Sequence, residues 1–214
     1  IIKSLLPQNM KDKSPGNDFA ASRKLLLLII IGTIPVLIIG ALFQEKIHAT
    51  FESARAAALF LIVTGVLLFF SDKIKVAERS EKDMNITDSI LIGLAQSVAL
   101  LPGISRSGAT ITMGIFRGIN RTTVARFSFL LSVPAICCAV ILESSYLYQV
   151  SSAEIFPYAA GFFAAAVAGF LSLKLFFLII REARLKYFAY YCWAFATFTL
   201  LLVAVSYTHL TLPT

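Results

Sequence analysis

The chain is 214 residues long, 58% hydrophobic and 14% charged, with a mean hydropathy of +0.82. Ordinary soluble domains carry about 25% charged residues, so a soluble globule is excluded and an integral membrane protein is expected. The net charge of +7 is not a nucleic-acid signal, because Lys and Arg sit in short loops between apolar runs, where they set topology and touch anionic lipid.

The opening Ile1-Ile2-Lys3 has neither a start methionine nor a signal peptide and reads as the end of an earlier segment. Residues 1–24 carry Lys3, Lys11, Lys13, Arg23 and Lys24. A first spanning run follows at 25–43, interrupted by Gly32-Thr33-Ile34-Pro35. Loop 44–54 holds Lys46 and His48, and a second span is expected at 55–71. Loop 72–88 is basic again, with Lys73, Lys75, Arg79 and Lys82. The apolar region 89–116 is broken in its middle by Pro102-Gly103-Ile104-Ser105-Arg106-Ser107-Gly108-Ala109-Thr110. Segment 117–126 brings Arg117, Arg121 and Arg126, and a span at 122–142 contains Ser132-Val133-Pro134. Loop 143–154 has no Lys or Arg; spans at 155–180 and 187–205 flank a turn with Arg181, Arg184 and Lys186. The polar, Thr-rich residues 206–214 match nothing before them, so the expected organisation is one polytopic membrane domain over 1–205 and a foreign or disordered tail over 206–214. Cys137, Cys138 and Cys192 lie in apolar runs without metal-ligand spacing and read as small buried hydrophobes. Asp88 and Glu143 read as interfacial loop residues.

The positive-inside rule puts 1–24, 72–88, 117–126 and 181–186 on the cytoplasmic side and the two loops poor in Lys and Arg outside. Region 89–116 therefore leaves and returns on one side, and its 28 residues are too few for two spans of roughly 20. A re-entrant helix–loop–helix is predicted, meeting near residues 102–105 at the bilayer midplane. Irregular backbone at that depth needs burial in protein or a polar cavity. The proline and glycine breaks at 32–35 and 132–134 read either as kinks satisfied by neighbouring helices or as room made for the hairpin.

Pro102 lacks a donor and Gly103 permits an unusual backbone angle, so the first half-helix should stop there. The second should start near Ser105 to Ser107, aiming its unpaired N–H groups and positive dipole end at the cavity. Ser105, Ser107 and Thr110 add hydroxyls, Gly108 lets a ligand approach, and Arg106 supplies a fork suited to phosphate oxygens. Such a constellation binds an anion, most commonly phosphate. The plainer alternative is a packed turn with Arg106 snorkelling or paired with a carboxylate. More than ten residues separate Arg106 from Asp88 and from Arg117, which is deep for snorkelling. Whether the anion is hydrolysed, transported or held does not follow from these residues.

Gly93-Leu94-Ala95-Gln96 followed by the Pro102–Thr110 motif resembles the signature of the bacterial undecaprenyl-diphosphatases. Phe116-Arg117-Gly118, Ala125-Arg126-Phe127-Ser128-Phe129-Leu130-Leu131-Ser132-Val133-Pro134-Ala135-Ile136, Ile31-Gly32-Thr33-Ile34-Pro35 and Leu61-Ile62-Val63-Thr64-Gly65 are similar as well. The resemblance implies an all-α membrane protein with about five transmembrane helices and one re-entrant hairpin, the C-terminal part of an inverted-repeat fold. It implies a bacterial inner-membrane enzyme that hydrolyses undecaprenyl diphosphate to the monophosphate, recycling the peptidoglycan carrier and conferring bacitracin resistance. Arg106 and Ser105 would then be catalytic, and Gly103, Ser107, Gly108 and Thr110 substrate-binding. The family's earlier hairpin, with its glutamate pair and Ser/His stretch, is missing from these 214 residues. The implied divalent cation, Mg or Ca, thus has no ligands in this chain, and neither His48 nor His209 sits in a comparable motif. Expected partners are a polyprenyl diphosphate, membrane lipids and a second copy in a homodimer, with no nucleic acid. A polyprenyl-phosphate transporter or flippase is the alternative from a different class, since re-entrant hairpins are also a transporter device. An inactive fragment of the phosphatase is the third reading.

Overall fold

The computed structural model describes residues 15–74, 78–142, 155–181 and 185–211. The expected loop 143–154, residues 1–14 and residues 212–214 lie outside these. Helix α1 (Pro15–Leu42) begins on a proline, whose missing N–H is no loss in a first turn. After α1 comes a two-turn helix, α2 (Gln44–Phe51), where a loop was expected; it buries no residue. Helix α3 (Ala54–Lys73) is N-capped by the Ser53 hydroxyl, which accepts from Ala56 N at 3.1 Å. Then follow α4 (Ile86–Val98), α5 (Arg106–Phe116), α6 (Arg121–Leu142), α7 (Ile155–Arg181) and α8 (Leu185–Thr211). The last helix runs past the expected span end at 205. Among the described residues five helices are long and apolar enough to cross a membrane, α1, α3, α6, α7 and α8, so the chain is a multi-pass membrane protein.

Helices α4 and α5 are the broken apolar region. At 13 and 11 residues they rise about 20 and 16 Å, against a hydrocarbon core of about 30 Å. Their outer ends meet at one level. Asp88 in the first turn of α4 is fully buried and pairs with Arg117 just past α5 (2.8 Å) and with Arg79 (2.5 Å). The chain therefore enters and leaves the hairpin on the same face. Other contacts put more helix ends there. Arg121 at the start of α6 pairs with Asp72 at the end of α3 (3.1 Å), and Leu185 N, opening α8, donates to the same carboxylate (3.3 Å). Lys24 of α1 donates to Lys82 O at 2.7 Å. This shared face is the one that the charge rule assigns to the cytoplasm.

Asp88 is thus no interfacial loop residue. Its carboxylate also caps its own helix, accepting from Asn85 N while Asn85 accepts from Asp88 N. Arg79 completes the clamp through Arg117 O (2.6 Å) and Asp83 O (2.8 Å). Burial works against the charged carboxylate, but the bonds from Arg79, Arg117 and Asn85 outweigh it and hold Asp88 below the usual carboxylate range.

The hairpin is wedged among three spans. Helix α4 lies on α1 so closely that a Cβ on Gly93 would meet Gly32 O at 2.1 Å, and the Ser89 hydroxyl donates to Leu28 O. Gly32, lacking a side chain, leaves room for the hairpin, and α1 and α6 remain continuous helices through Pro35 and Pro134. Helix α5 packs on α3 and α6, and the core cluster joins Ile92, Ile111, Ile115, Val124, Phe127 and Leu131 from α4, α5 and α6. Across the molecule α8 covers α3, with Trp193 Nε1 donating to Ile62 O at 3.2 Å. Helix α7 touches α6 through Phe176 and Phe177 on Phe129, and the rest of its span is uncovered. Of the cysteines only Cys192 is buried; Cys137 is exposed on the apolar surface of α6 and Cys138 is intermediate.

Candidate anion-binding site

The hairpin tip, residues 99–105, is built from the inside out. Helix α4 ends at Val98, four residues short of Pro102, and the chain turns through Leu100 N to Ser97 O and Leu101 N to Val98 O. Gly103 has φ +92°, which L side chains rarely adopt, and a Cβ there would strike Ala57 O at 2.0 Å. Both features require glycine. One hydroxyl then fixes the tip: Thr64 Oγ1 donates to Gly103 O and accepts from Ser105 N, each at 3.0 Å. Thr64 lies midway along α3, ten residues from Ala54 and nine from Lys73, while Gly103 lies against Ala57, three residues from the start of α3, so the tip reaches from mid-depth into the outer half of the span.

Ser105 is the N-cap of α5, accepting from Gly108 N at 3.1 Å. That bond is worth about 1 kcal/mol. It leaves the hydroxyl hydrogen free to donate, with Ser107 Oγ at 3.5 Å. Helical geometry gives the N–H groups of Arg106 and Ser107 no intrahelical carbonyl, and the positive end of the α5 dipole falls at the same spot. Thr110 is fully buried: its hydroxyl donates to Arg106 O (2.8 Å) and meets Ser128 Oγ of α6 at 2.5 Å. It holds the backbone of Arg106 in place. Gly108 packs against Ser105, and the six expected site residues lie together on the tip and the first turns of α5.

The polar groups that find no partner define the site. Among the described residues the buried side-chain atoms without one are Gln96 Nε2 and Oε1, Arg106 Nη2, Thr112 Oγ1 and Arg126 Nε. All belong to the hairpin or to α6. An unpartnered guanidinium nitrogen at mid-bilayer depth is costly, whereas at the base every oxygen of Asp88 is used. The tip can therefore hold an anion by guanidinium, helix N–H groups and hydroxyl donors. It does not suit a cation: among the described residues no group of three or more His, Cys, Asp and Glu could hold a metal ion, and the buried Asp88 is taken up by two guanidinium groups. An apolar cavity of about 300 Å³ opens beside the tip, lined by Ile39, Phe43, Lys46, Ile47, Val98 and Leu101 among others.

Sequence reasoning missed Thr64 and Ser128 as parts of this site. Both lie in stretches that resemble the family, but nothing in the chain tied them to the tip, because their partners lie 41 and 18 residues away.

A family model described as bacitracin resistance protein BacA matches residues 1–198. The undecaprenyl-diphosphatase of Methanothermobacter thermautotrophicus is 42% identical over 170 residues, covering 78% of this chain and 94% of the relative. That of Syntrophotalea carbinolica is also 42% identical, over 84% of this chain and 68% of the relative. That of Carboxydothermus hydrogenoformans is 37% identical over 85% and 71% respectively.

Proposed function

The chain belongs to the bacitracin resistance protein BacA family, and we propose that it is an undecaprenyl-diphosphatase of the plasma membrane, acting at the hairpin tip. The observation that carries the site is the buried, unpartnered Nη2 of Arg106 at the N-terminus of a half-helix. The reaction breaks the bridging P–O bond as water attacks the terminal phosphorus, giving undecaprenyl phosphate and inorganic phosphate. Catalysis of phosphoryl transfer is largely positioning and charge stabilisation. Arg106 and the α5 N–H groups offset charge on the phosphoryl oxygens, Ser105 and Ser107 donate from their hydroxyls, and Thr64 and Thr110 keep the tip in register. The first isoprene units lie in the apolar cavity that Leu100 and Leu101 of the tip help to line.

A half-helix N-terminus at mid-membrane depth is also how transporters hold anionic substrates. Inorganic phosphate release from undecaprenyl diphosphate by the protein in detergent separates the two activities. Release that Arg106→Ala lowers by on the order of 100-fold is expected. Binding of the lipid without any release would overturn hydrolysis in favour of transport.

A further inference from the structure

Gln96 is 1% exposed, and neither atom of its side-chain amide has a partner. A buried amide left bare on both sides costs about 1–3 kcal/mol for each group, and native structures keep such groups where something else satisfies them. Its place is given by the packing. Ile92 of α4 lies level with Gly114 of α5, 3.5 Å from where a Cβ would stand. One turn from Ile92 toward the tip is Gln96; one turn from Gly114 toward the tip is Thr110, whose hydroxyl holds the Arg106 carbonyl at 2.8 Å. Gln96 is thus about one helical rise, roughly 5.4 Å, below the level of Arg106. Both residues carry buried, unsatisfied polar atoms in the same hairpin. A single phosphate is short for that spacing, and a diphosphate is of the right length.

We propose that Gln96 is the specificity residue that distinguishes a diphosphate head from a monophosphate. Nε2 donates to an oxygen of the second phosphate while Arg106 holds the first, and Oε1 accepts from water carried in with the headgroup. The inference rests on the phosphate site proposed above and adds a second subsite to it.

The experiment measures inhibition of the full chain in detergent by inorganic pyrophosphate and by inorganic phosphate, in wild type, Gln96→Leu, Gln96→Met and Arg106→Ala. The expected result is that wild type favours pyrophosphate and that both Gln96 variants weaken pyrophosphate about tenfold while phosphate inhibition stays unchanged. The same variants should melt at or above the wild-type temperature without ligand, because they remove buried polar atoms that have no partner. Gln96 variants that keep the wild-type ratio of the two inhibition constants overturn the proposal, as does a Gln96 variant that loses both inhibitors equally along with stability. Wild-type inhibition retained by Arg106→Ala would instead remove the phosphate site itself, and this inference with it.

Discussion

The two ends of the hairpin carry opposite polar economies. At the base, Asp88 receives bonds from two arginines and a backbone N–H, and Arg79 is further tied to two carbonyls. Toward the tip, Gln96 is buried and Arg106 half-buried, each with side-chain atoms that nothing in the described chain satisfies. A clamp whose bonds are complete stabilises the fold; the incomplete cluster is where we propose the ligand binds. Substitutions should therefore separate stability from activity according to which end they strike.

The largest effect is expected at the tip. Arg106→Ala should lower the rate of phosphate release by on the order of 100-fold, about 3 kcal/mol, with the melting temperature in detergent unchanged or raised. Arg106→Lys should lose most activity too, because a point charge does not replace a planar fork. Near-normal turnover in Arg106→Ala would break the comparison.

Asp88→Asn should do the reverse, costing stability and sparing the chemistry of whatever remains folded. Breaking a buried ion pair costs about 3–5 kcal/mol, but the two guanidiniums are 32% and 36% exposed, so about 2 kcal/mol is expected after solvent screening. The pH dependence has a definite sign. Since folding holds the Asp88 carboxyl below its usual range, its contribution is fully present above about pH 3.9. It is lost as pH falls further, through the lowered folded value. Melting curves of wild type taken downward from about pH 4 should fall more steeply than those of Asp88→Asn; parallel curves would show that the clamp contributes nothing.

Thr64→Val tests the link between α3 and the tip. It removes the partner of both Gly103 O and Ser105 N, costing about 1–2 kcal/mol of stability and slowing phosphate release several-fold, less than Arg106→Ala. At the far end of the scale, we propose that residues 206–214 are dispensable: truncation after Val205 should leave the melting temperature and phosphate release unchanged.

The hairpin was legible because two independent signals, loop charge and too few residues for two spans, allowed one topology. The tip residues were legible because hydroxyls, glycines and an arginine inside apolar flanks have few structural uses. Asp88 was misread because its partners are Arg79 and Arg117, nine and 29 residues away, and chain spacing does not reveal a pair formed by folding. For the same reason Thr64 looked like any hydroxyl in a span. Residues 44–51 were read as a loop because eight residues are too few for hydrophobic periodicity to identify a helix that buries nothing.

Thr64 also fixes a depth, and depth has an electrical meaning. Ser105 is bonded to a residue halfway along α3, so an anion seated on Arg106 lies roughly halfway down the membrane's voltage drop. One elementary charge crossing 100 mV is worth about 2.3 kcal/mol, which makes each negative charge brought from the outer face to this depth work against about 1 kcal/mol. On the proposed site, the fixed charge of Arg106 offsets that opposition, and the same field favours release of inorganic phosphate toward the outer face over release toward the cytoplasm.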